Sequence, residues 1–123
     1  MPGRKRPAFL WSATEDEIQA GIVEALRIAF PRLVVAAIPN GGSRPVREAA
    51  ALVRGGVLAG MPDLVVALPS GKVCWIETKT EVGRVSEAQK HIHAGLRAIG
   101  HTVAICRDIT VAVAFVRSQL REA

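Results

Sequence analysis

Gly60-Met61-Pro62-Asp63-Leu64-Val65-Val66-Ala67-Leu68-Pro69-Ser70-Gly71-Lys72-Val73-Cys74-Trp75-Ile76-Glu77-Thr78-Lys79 is the stretch that decides the fold. Two apolar, β-branched runs flank a Pro-Ser-Gly break, which is the composition of a hairpin. The three-residue loop Pro69-Ser70-Gly71 fits a type I turn followed by a left-handed residue, with Gly71 where glycine is preferred. That loop sets Leu68 opposite Lys72 and, counting outward, Asp63 opposite Glu77. Opposed residues share a face of the sheet, and so do alternate residues along a strand. Asp63, Glu77 and Lys79 therefore gather at one end of the hairpin, with Trp75 below them. Leu64, Val66, Leu68, Cys74 and Ile76 take the opposite face, which is apolar throughout. A slip of one residue would set Asp63 against Thr78 and scatter the cluster, so the alternation itself favours the convergent register.

Working outward, Thr14-Glu15-Asp16-Glu17 fits a capping box, and Ser12-Ala13-Thr14-Glu15 fits it two residues earlier. Ile18, Ile22, Leu26 and Phe30 follow at helical spacing, and Pro31 ends the element. Leu33 to Ile38 reads as a strand, and Asn40-Gly41-Gly42 as a turn. Ser43 can cap a second helix running to Arg54, with Pro45 in its first turn and Gly55-Gly56 as its stop. The hairpin strands run from Leu64 to Leu68 and from about Val73 to Lys79. Ser86-Glu87-Ala88-Gln89 opens another helix, with Ile92, Leu96 and Ile99 on one side and Gly100 as its stop. Thr102 to Cys106 is a further strand, and Asp108 can cap a last helix to about Leu120. The order predicts an α/β fold: a mixed central sheet of about four strands, flanked by helices, with a βαβ crossover after the hairpin.

The chain has 123 residues, enough for one domain, expected over residues 12–123 behind a basic, disordered tail at residues 1–11. Half of the residues are hydrophobic, so a core can form without staples. Cys74 and Cys106 lie far apart in apolar stretches and read as buried small hydrophobes of a cytoplasmic protein. No apolar run approaches the ~20 residues that span a bilayer, so no membrane role is expected. The net charge of +5 favours an anionic partner such as nucleic acid. Arg4, Lys5 and Arg6 can touch phosphates without reading bases, and the scarcity of aromatics argues against a base-stacking platform.

Paired carboxylates at strand ends are what Mg²⁺ (or Mn²⁺) requires: hard oxygen ligands, with the remaining positions left to water and phosphate. A cation there polarises a phosphodiester and lowers the pKa of a coordinated water, and Lys79 on the same face can orient that water or stabilise the transition state. The plain alternative is a surface ion pair between Glu77 and Lys79, with Asp63 merely closing the entry to its strand. His91, His93 and His101 show no convincing metal-ligand spacing, and a histidine general base is possible but unneeded.

Five segments in order change that balance: Glu15-Asp-Glu-Ile-Gln19, Ile38-Pro-Asn-Gly-Gly42, Ala59-Gly-Met-Pro-Asp-Leu64, Ile76-Glu-Thr-Lys79 and Ser86-Glu-Ala-Gln89. With them the chain resembles the VRR-NUC family of virus-type replication-repair nucleases, within the PD-(D/E)XK superfamily, over roughly residues 15–100. The resemblance implies a restriction-endonuclease-like core and a metal-dependent endonuclease needing no organic cofactor. It implies Asp63 and Glu77 as metal ligands, joined by the Thr78 carbonyl and Glu15, with Lys79 and Gln89 catalytic. Glu15 equally suits a helix start as a charge favoured by the dipole, and Gln89 equally suits its capping box. Gln19, one turn from Glu15, the Asn40-Gly41-Gly42 turn, and Arg44, Arg47 and Arg54 are candidate DNA contacts; a plain turn explains the glycine pair equally well, and a solvated basic face is the ordinary alternative for the arginines. Stand-alone members of the family resemble dimeric Holliday-junction resolvases, so branched DNA and a homodimer are expected, in a phage or prophage replication and repair role. A less selective flap or duplex endonuclease or nickase, and a non-catalytic DNA-binding module, are the alternatives.

Overall fold

The computed structural model describes residues 13–39 and 45–122. The basic tail, Ser12 and Ser43, and the Asn40, Gly41, Gly42 and Arg44 candidates lie outside the described residues. Thr14 caps helix α1 (Glu15–Ala29) through both arms of its box, Glu17 N to Thr14 Oγ1 at 3.1 Å and Thr14 N to Glu17 Oε1 at 2.8 Å. Strand β1 (Val34–Ala37) follows, two residues shorter than the apolar run that predicts it. Helix α2 (Val46–Arg54) starts one residue after Pro45, which stands at the N-cap rather than in the first turn and gives no side-chain cap. A prolyl ring carries no acceptor for the first turn's N–H groups, which is why no such bond forms.

Strands β2 (Leu64–Ala67) and β3 (Val73–Thr78) form the hairpin in the expected register, Leu64 against Ile76 and Val66 against Cys74. The loop differs in detail: Ser70 as well as Gly71 takes a positive φ, at 65° and 73°. Its three-residue length still fixes the pairing count. Helix α3 (Glu87–Ala98), capped by Ser86, carries the chain to β4 (Thr102–Cys106), which runs parallel to β3. Helix α4 (Ile109–Glu122) ends the fold, with Val111 N donating to Asp108 Oδ1 at 2.8 Å. The sheet order is β1-β2-β3-β4, antiparallel twice and then parallel, an α/β arrangement as the sequence predicts.

Ile22 and Leu26 of α1 and Ala112 and Val116 of α4 are fully buried against Leu64, Val66, Cys74, Ile76 and Cys106. That is the apolar face read from the hairpin, and burying it supplies most of the folding free energy. Burial pushes the Cys74 thiol up to about 12 and that of Cys106 to about 11, so both behave as hydrophobes. Helix α3 corrects one expectation: it stops at Ala98, leaving Ile99 75% exposed, and its one fully buried residue is His93. The buried line of the helix runs beside the Ile92–Leu96 edge.

One backbone contact fits the α3 start to the hairpin. Gly60 has φ +95°, and a Cβ there would lie 2.4 Å from the Ala88 carbonyl oxygen. Gly60→Ala is therefore expected to cost about 2–4 kcal/mol, from the left-handed strain plus displacement of α3. Gly56, at φ +108° with nothing among the described residues near its missing Cβ, carries strain without a clash. Urea denaturation of Gly60→Ala beside Gly56→Ala checks this, since equal losses would mean the contact with α3 contributes nothing.

Candidate active site

The hairpin register delivers the first two carboxylates. Asp63, just ahead of β2, receives the Thr78 N–H on Oδ2 at 2.8 Å, which ties its side chain across to β3. Glu77 in β3 is fully buried. The third carboxylate comes from the other end of the fold: Glu15, in the first turn of α1, reaches the same point. One oxygen from each of Glu15, Asp63 and Glu77 lies within 4.8 Å of the others. Lys79 is 6% exposed, and its Nζ stands 4.0 Å from Glu15 Oε2. Sequence alone leaves Glu15 open between helix-start charge and site residue; packing of α1 on the sheet brings it to the site.

Helix α3 grips Glu77. Gln89 Nε2 donates to Glu77 Oε2 at 2.9 Å, while Gln89 Oε1 accepts the Ser86 N–H at 2.9 Å. The capping box of Gln89 is formed, and the side chain still reaches Glu77, because a carboxamide has an acceptor for the cap and a donor left over. One turn further on, His93 Nε2 lies 3.2 Å from Glu77 Oε1, a contact the sequence reading missed. The signal available was the i, i+4 spacing of Gln89 and His93, which puts them on one face of a helix.

Burial, and then Asp63 as a like charge and hydrogen-bond partner, push the Glu77 carboxyl up to about 8, with Lys79 opposing and Glu15 adding to the rise. Burial, followed by the charges of Arg97 and Lys79, holds His93 below its usual value, against the pull of Asp63. At neutral pH Glu77 therefore keeps a proton and the imidazole is neutral. A crowded set of hard oxygen donors in which one carboxyl is held protonated fits a divalent cation, whose charge would offset the burial and the like charges that raise it. Thr78 lies between Glu77 and Lys79 with its N–H on Asp63, and its Oγ1 is buried with no hydrogen-bond partner among the described residues.

Arg107, which the sequence reading passed over, fixes the loop that follows Lys79. Its Nη1 donates to the carbonyls of Thr80, Glu81 and Gly83 at 2.6, 3.2 and 2.8 Å. Parallel pairing sets Thr78 beside Cys106, so residue 107 is where a side chain can reach that loop. The remaining candidates are placed less closely. Gln19 is half-buried in a groove of α1 with Asp16, Val23, Glu24 and Arg27, a lining that includes neither Asp63, Glu77 nor Lys79. Arg47 and Arg54 are exposed on α2.

Comparison with known proteins agrees with this fold. The model of the VRR-NUC domain matches residues 13–108. Two solved structures share the fold. One, a "VRR_NUC domain", has TM-score 0.59 and 21% identity, covering 85% of this chain and 97% of its own. The other, a "VRR_NUC domain protein", has TM-score 0.66 and 22% identity, covering 88% of each. A protein named "Putative nuclease p44", from Acyrthosiphon pisum secondary endosymbiont phage 1, is 41% identical over 46 residues, 37% of this chain. That match spans 50% of the phage protein's length. With its family model matched from the α1 cap to the start of α4, and the acidic cluster inside the matched region, this chain belongs to the VRR-NUC domain family.

Proposed function

We propose that residues 12–123 act as a metal-dependent DNA endonuclease that hydrolyses phosphodiester bonds. The observation that carries this reading is the convergence of Glu15, Asp63 and Glu77 within 4.8 Å beside a nearly buried Lys79. Asp63, Glu77, Glu15 and the Thr78 carbonyl would hold Mg²⁺ or Mn²⁺. A divalent cation in such a site supplies Lewis-acid polarisation of the phosphate and makes water a usable nucleophile at neutral pH. The chain's own groups do the rest. The Thr78 N–H fixes Asp63, and Gln89 orients Glu77. Lys79, shielded from solvent, presents a positive charge where negative charge develops on the phosphoryl oxygens.

The net charge of +5 and the exposed Arg47 and Arg54 suit a polyanionic substrate. We further propose a homodimer acting on branched DNA, as a junction resolvase does, because a two-fold dimer would set two sites on a two-fold substrate. The setting would be the bacterial cytoplasm, in phage or prophage replication and repair.

The test is cleavage of labelled four-way junction, flap, duplex and single-stranded DNA with Mg²⁺, Mn²⁺ or chelator. Asp63→Asn is expected to lower the rate by on the order of 10²–10³-fold or more, as does a chelator. Symmetric incision confined to the junction supports a resolvase. Equal cutting of flaps and duplex makes it a less selective endonuclease or nickase. Binding without cutting under every condition would leave a basic DNA-binding module.

A further inference from the structure

Helix α3 has one fully buried residue, and it is a histidine. The helix has apolar side chains to offer in that place, yet Ile92 and Leu96 stay half-buried. A buried imidazole is costly unless its nitrogens find partners. The partner of His93 Nε2 is Glu77 Oε1, at 3.2 Å. Gln89 Nε2, one turn earlier, holds Oε2 of the same carboxylate at 2.9 Å. The helix itself is fastened at both ends. Gly60 backs onto its Ala88 carbonyl, and Arg97 Nη2 donates to the Val103 carbonyl of β4 at 2.8 Å. Two side chains on one anchored helix thus grip both oxygens of one carboxylate.

We propose that His93 is a positioning residue of the metal centre: its Nε2–H donates to Glu77 Oε1, fixes the orientation of that carboxylate together with Gln89, and so sets the affinity for the divalent cation. The inference rests on reading the acidic cluster as a cation site. Its sense follows from donor chemistry. A carboxylate that ligates a cation is deprotonated and can only accept, so the histidine must carry its proton on Nε2. Hydrogen-bond partners of ligands typically alter metal affinity by about 10–100-fold when removed.

Isothermal titration with Mg²⁺ and with Mn²⁺ would be run on the wild-type chain, His93→Leu and His93→Gln, with folding checked by circular dichroism. The imidazole ¹⁵N spectrum of the wild type would be recorded with and without Mg²⁺. His93→Leu, which keeps bulk and loses the donor, is expected to bind about 10–100-fold more weakly. His93→Gln, which keeps an N–H donor, should recover most of that loss. In the Mg²⁺-loaded wild type His93 should be the Nε2–H tautomer. A folded His93→Leu with wild-type affinity, or an unprotonated Nε2 in the loaded protein, would overturn the role of His93 alone. If His93→Leu does not fold, the wild-type tautomer and His93→Gln decide the matter. A wild-type chain that binds neither ion overturns the metal-centre reading itself.

Discussion

Metal-dependent DNA cleavage is expected to fall by on the order of 10³-fold or more in Glu77→Gln, while the metal-free protein becomes more stable at pH 8. The two effects have one cause. Glu77 is fully buried beside Asp63 and within reach of Glu15, an environment that favours its neutral form. Glutamine has nearly the same shape and is neutral at every pH. Its carbonyl can still take the Gln89 donor, and its amide can donate to Asp63. What it cannot do is offer an anionic oxygen to a hard cation. The loss should therefore appear in binding as well as in rate, and excess Mg²⁺ should not restore cleavage. Initial rates across a Mg²⁺ series, with urea denaturation in chelator at pH 8, test both halves. Cleavage within tenfold of wild type would remove Glu77 from the chemistry. Lower stability at pH 8 would contradict the electrostatic account of its burial.

Which parts of the site are legible in sequence follows from how each is fixed. Asp63 faces Glu77 because loop length and side-chain alternation set strand register, and both are local. The dihedrals of the loop are less constrained: Ser70 adopts a left-handed conformation where a type I turn would not place one, and the register survives. Gln89 was legible because its capping box is a four-residue pattern. His93 was not. Helix periodicity weighs apolar residues, and Ile92, Leu96 and Ile99 drew the buried face one position to the side. A polar residue at a buried position becomes visible only when its partner, sixteen residues away on β3, is placed. Arg107 is hidden for the same reason: its three acceptors are backbone carbonyls, which leave no trace in residue types. Glu15 lies between the two cases. Its pattern is readable, but its arrival depends on how α1 packs over the sheet.

The metal-free wild-type protein should lose stability as pH rises from about 6.5 to about 8, and Mg²⁺ should restore it. The folded-state value of the Glu77 carboxyl is raised from 4.5 to about 8. Between those values the folded state holds a proton that the unfolded state has released, so stability falls with rising pH. Its contribution is fully present below about 4.5 and gone above about 8. His93 runs the other way. Its folded value is lowered from 6.5, so the unfolded chain binds the extra proton and stability rises with pH up to about that point. Between about 4.5 and 6.5 the two oppose each other, and above 6.5 Glu77 acts alone. The loss across the upper window should be on the order of 2 kcal/mol, several degrees in Tm for a chain of this size. A cation among the three carboxylates reverses the sign of the local field, so Mg²⁺ at about 100 times its Kd should add roughly 2.7 kcal/mol. Thermal melts in chelator and in Mg²⁺, at intervals from pH 5 to 9, would trace both curves. Glu77→Gln, lacking the ionisable group, should show neither the upper-window fall nor the Mg²⁺ recovery. A wild-type curve flat from 6.5 to 8 in chelator would mean that the carboxylates separate on ionising and that the crowding at this site carries little free energy.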